Sequence, residues 1–206
     1  MFITFEGIDC CGKTTQVATL IEKLQSRGIN VLSLREPGGT NISERIRDIL
    51  LDKSNTTMTQ ITELFLFSAS RAQVVNEVIK PALAAHTVVV CDRYVDSTTV
   101  YQGYGRGLTL GAVKTINRVA TMDVIPTKTF LLDISVEEMH ERRKGKRKTV
   151  DRMELGTKEF YTRVRNGYHD LAREESGRFV VIDGTLPIEE IHNKIWSEIE
   201  SLLPRP

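Results

Sequence analysis

Net charge is the first thing this chain lacks. Its 28 basic and 27 acidic residues leave a formal charge of +1. No global field therefore draws it to nucleic acid or to an anionic membrane surface. Cysteine is scarce too. Cys10 and Cys11 fall inside one glycine-rich loop and Cys91 ends an apolar run, which is no disulfide framework. No apolar stretch approaches the roughly 20 residues of a membrane span. With Glu6 near the start and no basic segment ahead of an apolar one, a signal peptide is not expected. The sequence has no internal repeats, low-complexity tracts or interdomain linker. These absences predict a cytoplasmic, reduced protein with no membrane and no stable nucleic-acid partner. Its 206 residues suffice for one α/β core.

What the chain does have is Gly7-Ile8-Asp9-Cys10-Cys11-Gly12-Lys13-Thr14, the spacing of a phosphate loop. Ile3, Phe5 and Ile8 ahead of it read as a short strand. Val17, Leu20, Ile21 and Leu24 behind it recur at helical spacing up to Gly28, a C′ residue. A strand, a tight glycine turn and a helix N-terminus direct backbone N–H groups and partial positive charge at an anion. Gly7 and Gly12 let the backbone curl, Lys13 meets the β- and γ-phosphates, and Thr14 offers a hydroxyl to Mg²⁺. Because such a loop favours anions, at least one of Cys10 and Cys11 is expected to react faster with thiol reagents than an ordinary buried thiol.

Further along, Val31–Leu34 reads as a second strand, ending at Arg35-Glu36-Pro37-Gly38-Gly39-Thr40, with Asn41 or Ser43 as the next helix cap. The periodicity predicts one long helical region from Thr57 to about Ala85, broken near Pro81, with Ile61, Leu64, Phe65, Ala72, Val75 and Ile79 as its apolar stripe. Phe67 and Arg71 flank that stripe four residues apart. They fit either a base-binding pair or a core-edge ring beside a surface ion-pair partner. Thr87–Cys91 is a run fit for a strand buried on both faces. It ends at Asp92-Arg93-Tyr94, where an acid reaches Mg²⁺ and an arginine a phosphate. Ser97–Gly107, polar, aromatic and glycine-rich, reads as a pocket wall or a flexible connection. A helix is predicted over Leu110–Met122, strands over Thr129–Asp133 and Phe179–Asp183, and helices near Phe160–Glu174 and from Pro187 onward. The alternation predicts a five-stranded parallel sheet with helices on both faces. The dense basic run Glu141–Lys148 reads, beside a phosphate loop, as a lid that inserts an arginine.

Together Phe5–Asp9, Gly12–Gln16, Arg35–Thr40, Phe67–Gln73, Asp92–Tyr94, Tyr101–Gly107 and Asp151–Glu154 resemble thymidylate kinase, of the bacterial type with an arginine-bearing lid. The resemblance implies the P-loop nucleoside monophosphate kinase fold, one domain over 1–206 with a mobile lid at about 141–154, and a homodimer. It implies transfer of the γ-phosphoryl of ATP to dTMP with Mg²⁺, in support of dTTP synthesis. By position, Gly7 to Thr15 would cradle ATP, and Thr14 and Asp92 would serve the metal. Phe67 would stack on thymine and Arg71 would bond its edge, with Thr98 and Gln102 at base or sugar. Tyr101 would crowd the 2′ position and favour deoxyribose, while Asp9 and Glu36 would face the 3′-hydroxyl. Arg35 and Arg93 would hold the acceptor phosphate. Where this chain has Cys10, eukaryotic-type relatives carry an arginine for the γ-phosphate, so the arginine must come from the lid. Arg147 is expected on the phosphate, joining Lys13 and Arg93 in catalysis, and Arg143 against adenine. The rivals are a kinase for another nucleoside monophosphate and a P-loop nucleic-acid-binding ATPase. A GTPase-like switch fits less well, because Asn193-Lys194 is followed by Ile195-Trp196 rather than a guanine motif.

Overall fold

In the computed structural model of the chain, residues 1–145, 152, 153 and 156–203 are described. The β-branched and aliphatic runs form the strands. β1 is Phe2–Glu6, β2 Val31–Arg35, β3 Val88–Asp92, β4 Lys128–Asp133 and β5 Phe179–Asp183. They form one parallel sheet in the order β2-β3-β1-β4-β5. β1 and β3, at its centre, are buried on both faces. Their C-terminal ends, Glu6 and Asp92, therefore open on the same edge of the sheet, where such folds bind ligands.

The helices cover both faces. α1 is Lys13–Ser26, α2 Asn41–Leu51, α3 Gln60–Val74, α4 Lys80–Ala84 and α5 Val95–Thr98. α6 is Leu110–Thr121, α7 Val136–Lys144, α8 Lys158–Glu174 and α9 Ile188–Ile199. α1 ends as predicted, with Gly28 at φ 72° and Ile29 N–H on the Leu24 carbonyl at 3.1 Å. One core joins α1, α8 and α9 to the sheet through Leu20, Leu24, Phe130, Val164 and Ile195. A second, around Val74, Val75, Ile79, Val89 and Tyr94, packs the opposite face.

Four expectations are corrected. Ile8 lies beyond β1, which stops at Glu6 where the chain turns into the loop. Pro81 does not break its helix. A π-helix, Val75–Ile79, joins α3 to α4, and Pro81 sits in the first turn of α4, where a missing N–H is tolerated. Ile61 and Phe65 are 49% and 56% exposed and lie off the core side, which is carried by Leu64 and Val74. Thr40, rather than Asn41 or Ser43, caps α2, its side chain accepting from Ser43 N at 3.1 Å.

Candidate active site

A cavity of about 810 Å³ opens along the C-terminal edge of the sheet. Every residue expected at the acceptor nucleotide lines it: Asp9, Arg35, Glu36, Phe67, Arg71, Arg93, Thr98, Tyr101 and Gln102. Thr14 and Asp92 line it as well.

Its deeper end is built on Arg71. This side chain is 2% exposed, which rejects the reading of a surface ion-pair partner. Its Nε donates to Glu36 Oε2 at 2.8 Å, its Nη2 to the Tyr94 carbonyl at 3.1 Å and its Nη1 to Asn117 Oδ1 at 3.3 Å. Burial raises the Glu36 carboxyl above the ordinary range, and Arg71 opposes it. Glu36 Oε1 and Thr98 Oγ1 are buried with no partner among the described residues. Such atoms usually answer a ligand or water.

The stretch 99–105 is neither loop nor linker. It is a second π-helix, Thr99–Gly105, continuing α5. The wide turn brings the consecutive residues Tyr101 and Gln102 onto the cavity wall together. Gln102 is steadied by Glu63, which accepts its Nε2 at 2.9 Å. Glu63 also binds Arg106 at 3.1 Å and Arg152 at 2.7 Å. Burial acts to raise the Glu63 carboxyl, but these partners hold it below the usual range.

Arg93 occupies the middle of the site. Nη2 donates to Asp9 Oδ1 at 2.6 Å and Tyr101 OH at 3.2 Å, and Nη1 to the Gly7 carbonyl at 3.0 Å. Its φ of 70° is left-handed, a strained geometry that the surrounding bonds must hold. Asp9 also accepts from Tyr161 OH at 2.9 Å. Burial pushes its carboxyl up, yet Arg93 and Lys13 outweigh this and keep it below the ordinary range. Burial raises the Tyr101 phenol well above its usual value, so it stays neutral.

The loop itself has the curl that its glycines permit, with Gly7 at φ 134° and Gly12 at φ 103°. A Cβ on Gly7 would lie 2.5 Å from the Leu132 carbonyl oxygen. Lys13, almost buried, donates to the carbonyls of Gly7 and Ile8, each at 3.0 Å, and lies 3.5 Å from Cys11 Sγ. Cys11 is buried and Cys10 is half-buried. Thr14 Oγ1 donates to Asp92 Oδ2 at 2.8 Å. A hydroxyl and a carboxylate side by side are a hard-oxygen pair that would suit Mg²⁺. Thr15 follows on the first turn of α1.

Arg143, on the last turn of α7, faces the loop. Its guanidinium donates to Tyr161 OH at 3.1 Å and lies 3.6 Å from Asp9 Oδ2. Arg142 is the one that flanks the outer side of the loop, donating to the carbonyls of Gly184 at 3.0 Å and Cys10 at 3.4 Å. Arg147, Asp151 and Glu154 lie outside the described residues. Sequence reasoning missed Tyr161 and Tyr168, seven residues apart on α8. Both occupy core positions, and only their hydroxyls reach the site.

Comparisons with known proteins point to one family. A family model described as thymidylate kinase matches residues 5–195. A thymidylate kinase of Prosthecochloris aestuarii is 52% identical over 98% of this chain and 93% of its own length. One of a Thermoanaerobacter species is 48% identical over 98% of each. The crystal structure of thymidylate kinase from Ehrlichia chaffeensis superposes with a TM-score of 0.78 at 36% identity, covering 97% of this chain and 98% of that one.

Proposed function

The chain belongs to the thymidylate kinase family, and from that premise we propose how its residues carry the γ-phosphoryl of ATP to dTMP. The carrying observation is the single cavity that joins the Phe67–Arg71 end to Arg93, Thr14 and Asp92. Thymine stacks on Phe67 and bonds Arg71, with Thr98 and Gln102 beside it. The sugar passes Tyr101, which leaves no room for a 2′-hydroxyl, and Asp9 and Glu36 receive the 3′-hydroxyl. Arg35 and Arg93 take the acceptor phosphate. The ATP phosphates lie in the loop from Gly7 to Thr15, with Arg143 against the adenine and Arg142 bracing the loop through the Cys10 carbonyl.

Phosphoryl transfer of this kind is positioning plus charge stabilisation. Among the described residues Lys13 bonds neutral carbonyls and a thiol, with the Asp9 charge acting on it only at longer range, so a phosphate offers it a directly bonded charged partner. Arg93 tethers the incoming phosphate beside it, and Arg147 from the lid over 141–154 supplies the remaining charge. Thr14 and Asp92 would hold Mg²⁺, which would supply positive charge against the phosphates. The dTDP produced feeds dTTP synthesis.

We further propose one domain, acting in the cytoplasm as a homodimer. Ile42 and Ile49 of α2 and Ile61 and Phe65 of α3 are exposed on two adjacent helices, an apolar face suited to a second copy. A monomeric mass by light scattering at micromolar concentration would reject the dimer. The decisive assay is ATP consumption against a panel of nucleoside monophosphates. We expect dTMP to lead, dUMP to follow and the ribose form of TMP to be poor. Tyr101→Ala should admit ribose and Tyr101→Phe should still exclude it. Equal turnover of dTMP and dGMP would overturn the assignment.

A further inference from the structure

Glu6 is a buried carboxylate to which the roles above give no task. It is fully buried at the end of β1, and among the described residues no cation touches it. Its Oε1 accepts from Tyr94 N at 2.8 Å. Its Oε2 accepts from Ser97 Oγ at 2.6 Å and from Tyr168 OH at 2.8 Å. Those two hydroxyl oxygens in turn receive Arg93 Nη1, at 3.2 and 3.4 Å. Two hydroxyls thus stand between a buried carboxylate and the strained, central arginine.

A hydroxyl has one proton to give and two lone pairs to offer. The two hydroxyls also lie 3.0 Å from each other; while Glu6 is ionised both turn their protons to Oε2, and lone pairs remain for Nη1. Among the described residues Oε1 faces only a donor, the Tyr94 N–H, whereas Oε2 faces two hydroxyls that can turn to accept, so an added proton is accommodated on Oε2. One hydroxyl must then accept from Glu6. Its own proton competes for the lone pairs that hold Arg93, and the negative charge behind the guanidinium is gone.

We propose that Glu6 is a positioning residue: its carboxylate orients the Ser97 and Tyr168 hydroxyls so that Arg93 holds the acceptor phosphate, and its protonation loosens that hold. This rests on the reading of Arg93 as the acceptor clamp. The groups facing Glu6 are Arg93 and Cys91 from β3 and its end, Asp96 and Ser97 from α5, and Tyr168 from α8; Leu131 of β4 pairs opposite it. Burial, and then the Asp96 charge, raise the Glu6 carboxyl to about 7 against Arg93 and the two hydroxyls. Asp96 is itself locked by Arg178 through bonds of 2.7 and 2.8 Å. Cys91 and Tyr168 are both pushed well above their usual values, so they do not ionise near neutrality.

The test is Glu6→Gln. Its amide meets the Tyr94 N–H with oxygen and the two hydroxyls with N–H, which fixes the protonated arrangement at every pH. At pH 8 the KM for dTMP should rise about tenfold, the scale of one hydrogen bond to a charged group, with little change in kcat. By pH 6 the wild-type KM should approach that of the variant. Titration of the dTMP phosphate is common to both proteins and cancels in the ratio. A ratio that stays constant with pH, even with lowered thermal stability, would make Glu6 merely structural and overturn the proposal. Should Glu6→Gln not accumulate folded, Tyr168→Phe serves. Loss of one bond to the carboxylate should move the midpoint of the KM profile upward, and an unmoved midpoint overturns the proposal. Arg93→Gln separates the two readings. If it leaves the KM for dTMP unchanged, the clamp itself is wrong and this inference falls with it. If Arg93→Gln raises KM and Glu6→Gln does not, only the role of Glu6 falls.

Discussion

The acceptor end of the cavity and the phosphate loop meet at Arg93, yet they are built on opposite plans. Arg71 is 2% exposed and tied to three separate elements through Glu36, Tyr94 and Asn117. Lys13 is tied to carbonyls five and six residues away, within its own loop. The first cation is fixed by the fold before any ligand arrives. The second has neutral hydrogen-bond partners, which in the proposed mechanism it gives up to a phosphate. Recognition here is assigned to a rigid, prepaired charge, and chemistry to one that can be handed over.

Three experiments can break or sharpen that contrast. The largest effect is expected from Lys13→Ala, which should lower kcat about 10²- to 10³-fold while moving the KM for dTMP and the melting temperature little. A loss that fell mainly on the KM for dTMP would place Lys13 on the acceptor side and end the division. Next comes Arg71→Ala, which leaves Glu36 buried without its cation and should destabilise the fold by about 3 kcal/mol at pH 8 by urea titration. The sign with pH follows from Glu36, whose carboxyl is already raised by burial. Without Arg71 it takes a proton more readily, so the gap between variant and wild type should narrow from pH 8 to pH 5. A gap that widened toward acid would show that the pair is not what holds this end.

The smallest effect tests how open the loop is. Cys11 is 1% exposed, and its sulfur lies so near Gly7 that a Cβ there would be 2.8 Å away. Half-buried Cys10 is therefore the thiol expected to react. Iodoacetamide should inactivate slowly, saturating MgATP should protect, and Cys10→Gly should resist while Cys11→Ala does not. Inactivation that follows Cys91, or that ATP leaves unchanged, would reject this.

Much of this was legible in the residues. The loop from Gly7 to Thr14, the β-branched run of β3 and the Arg35–Thr40 segment carry their conformations in local chemistry, and the strands beside them are observed, with Ile8 left out of β1. Other features were hidden for physical reasons. A π-turn has no hydrophobic period of its own, so Thr99–Gly105 resembled a loop. Thr40, Asn41 and Ser43 are all competent caps, and only the backbone path chose Thr40. Ile61 and Phe65 obey helical spacing while facing outward, since periodicity does not tell a buried face from an exposed apolar one. The Glu6 relay joins residues 91 and 162 positions apart, a distance over which sequence alone offers no geometric rule.

The sequence contains a single tryptophan, and its surroundings make it a built-in optical gauge. Lys23 and Arg27, near the end of α1, stand 5.4 and 5.5 Å from the centre of the Trp196 ring on α9, with His192 at 6.5 Å. α1 starts at Lys13, directly out of the phosphate loop. Emission from this one indole therefore reads the docking of α1 against α9 without any label. A spectral shift on adding nucleotide would measure motion transmitted down a helix of 14 residues from the loop that receives it.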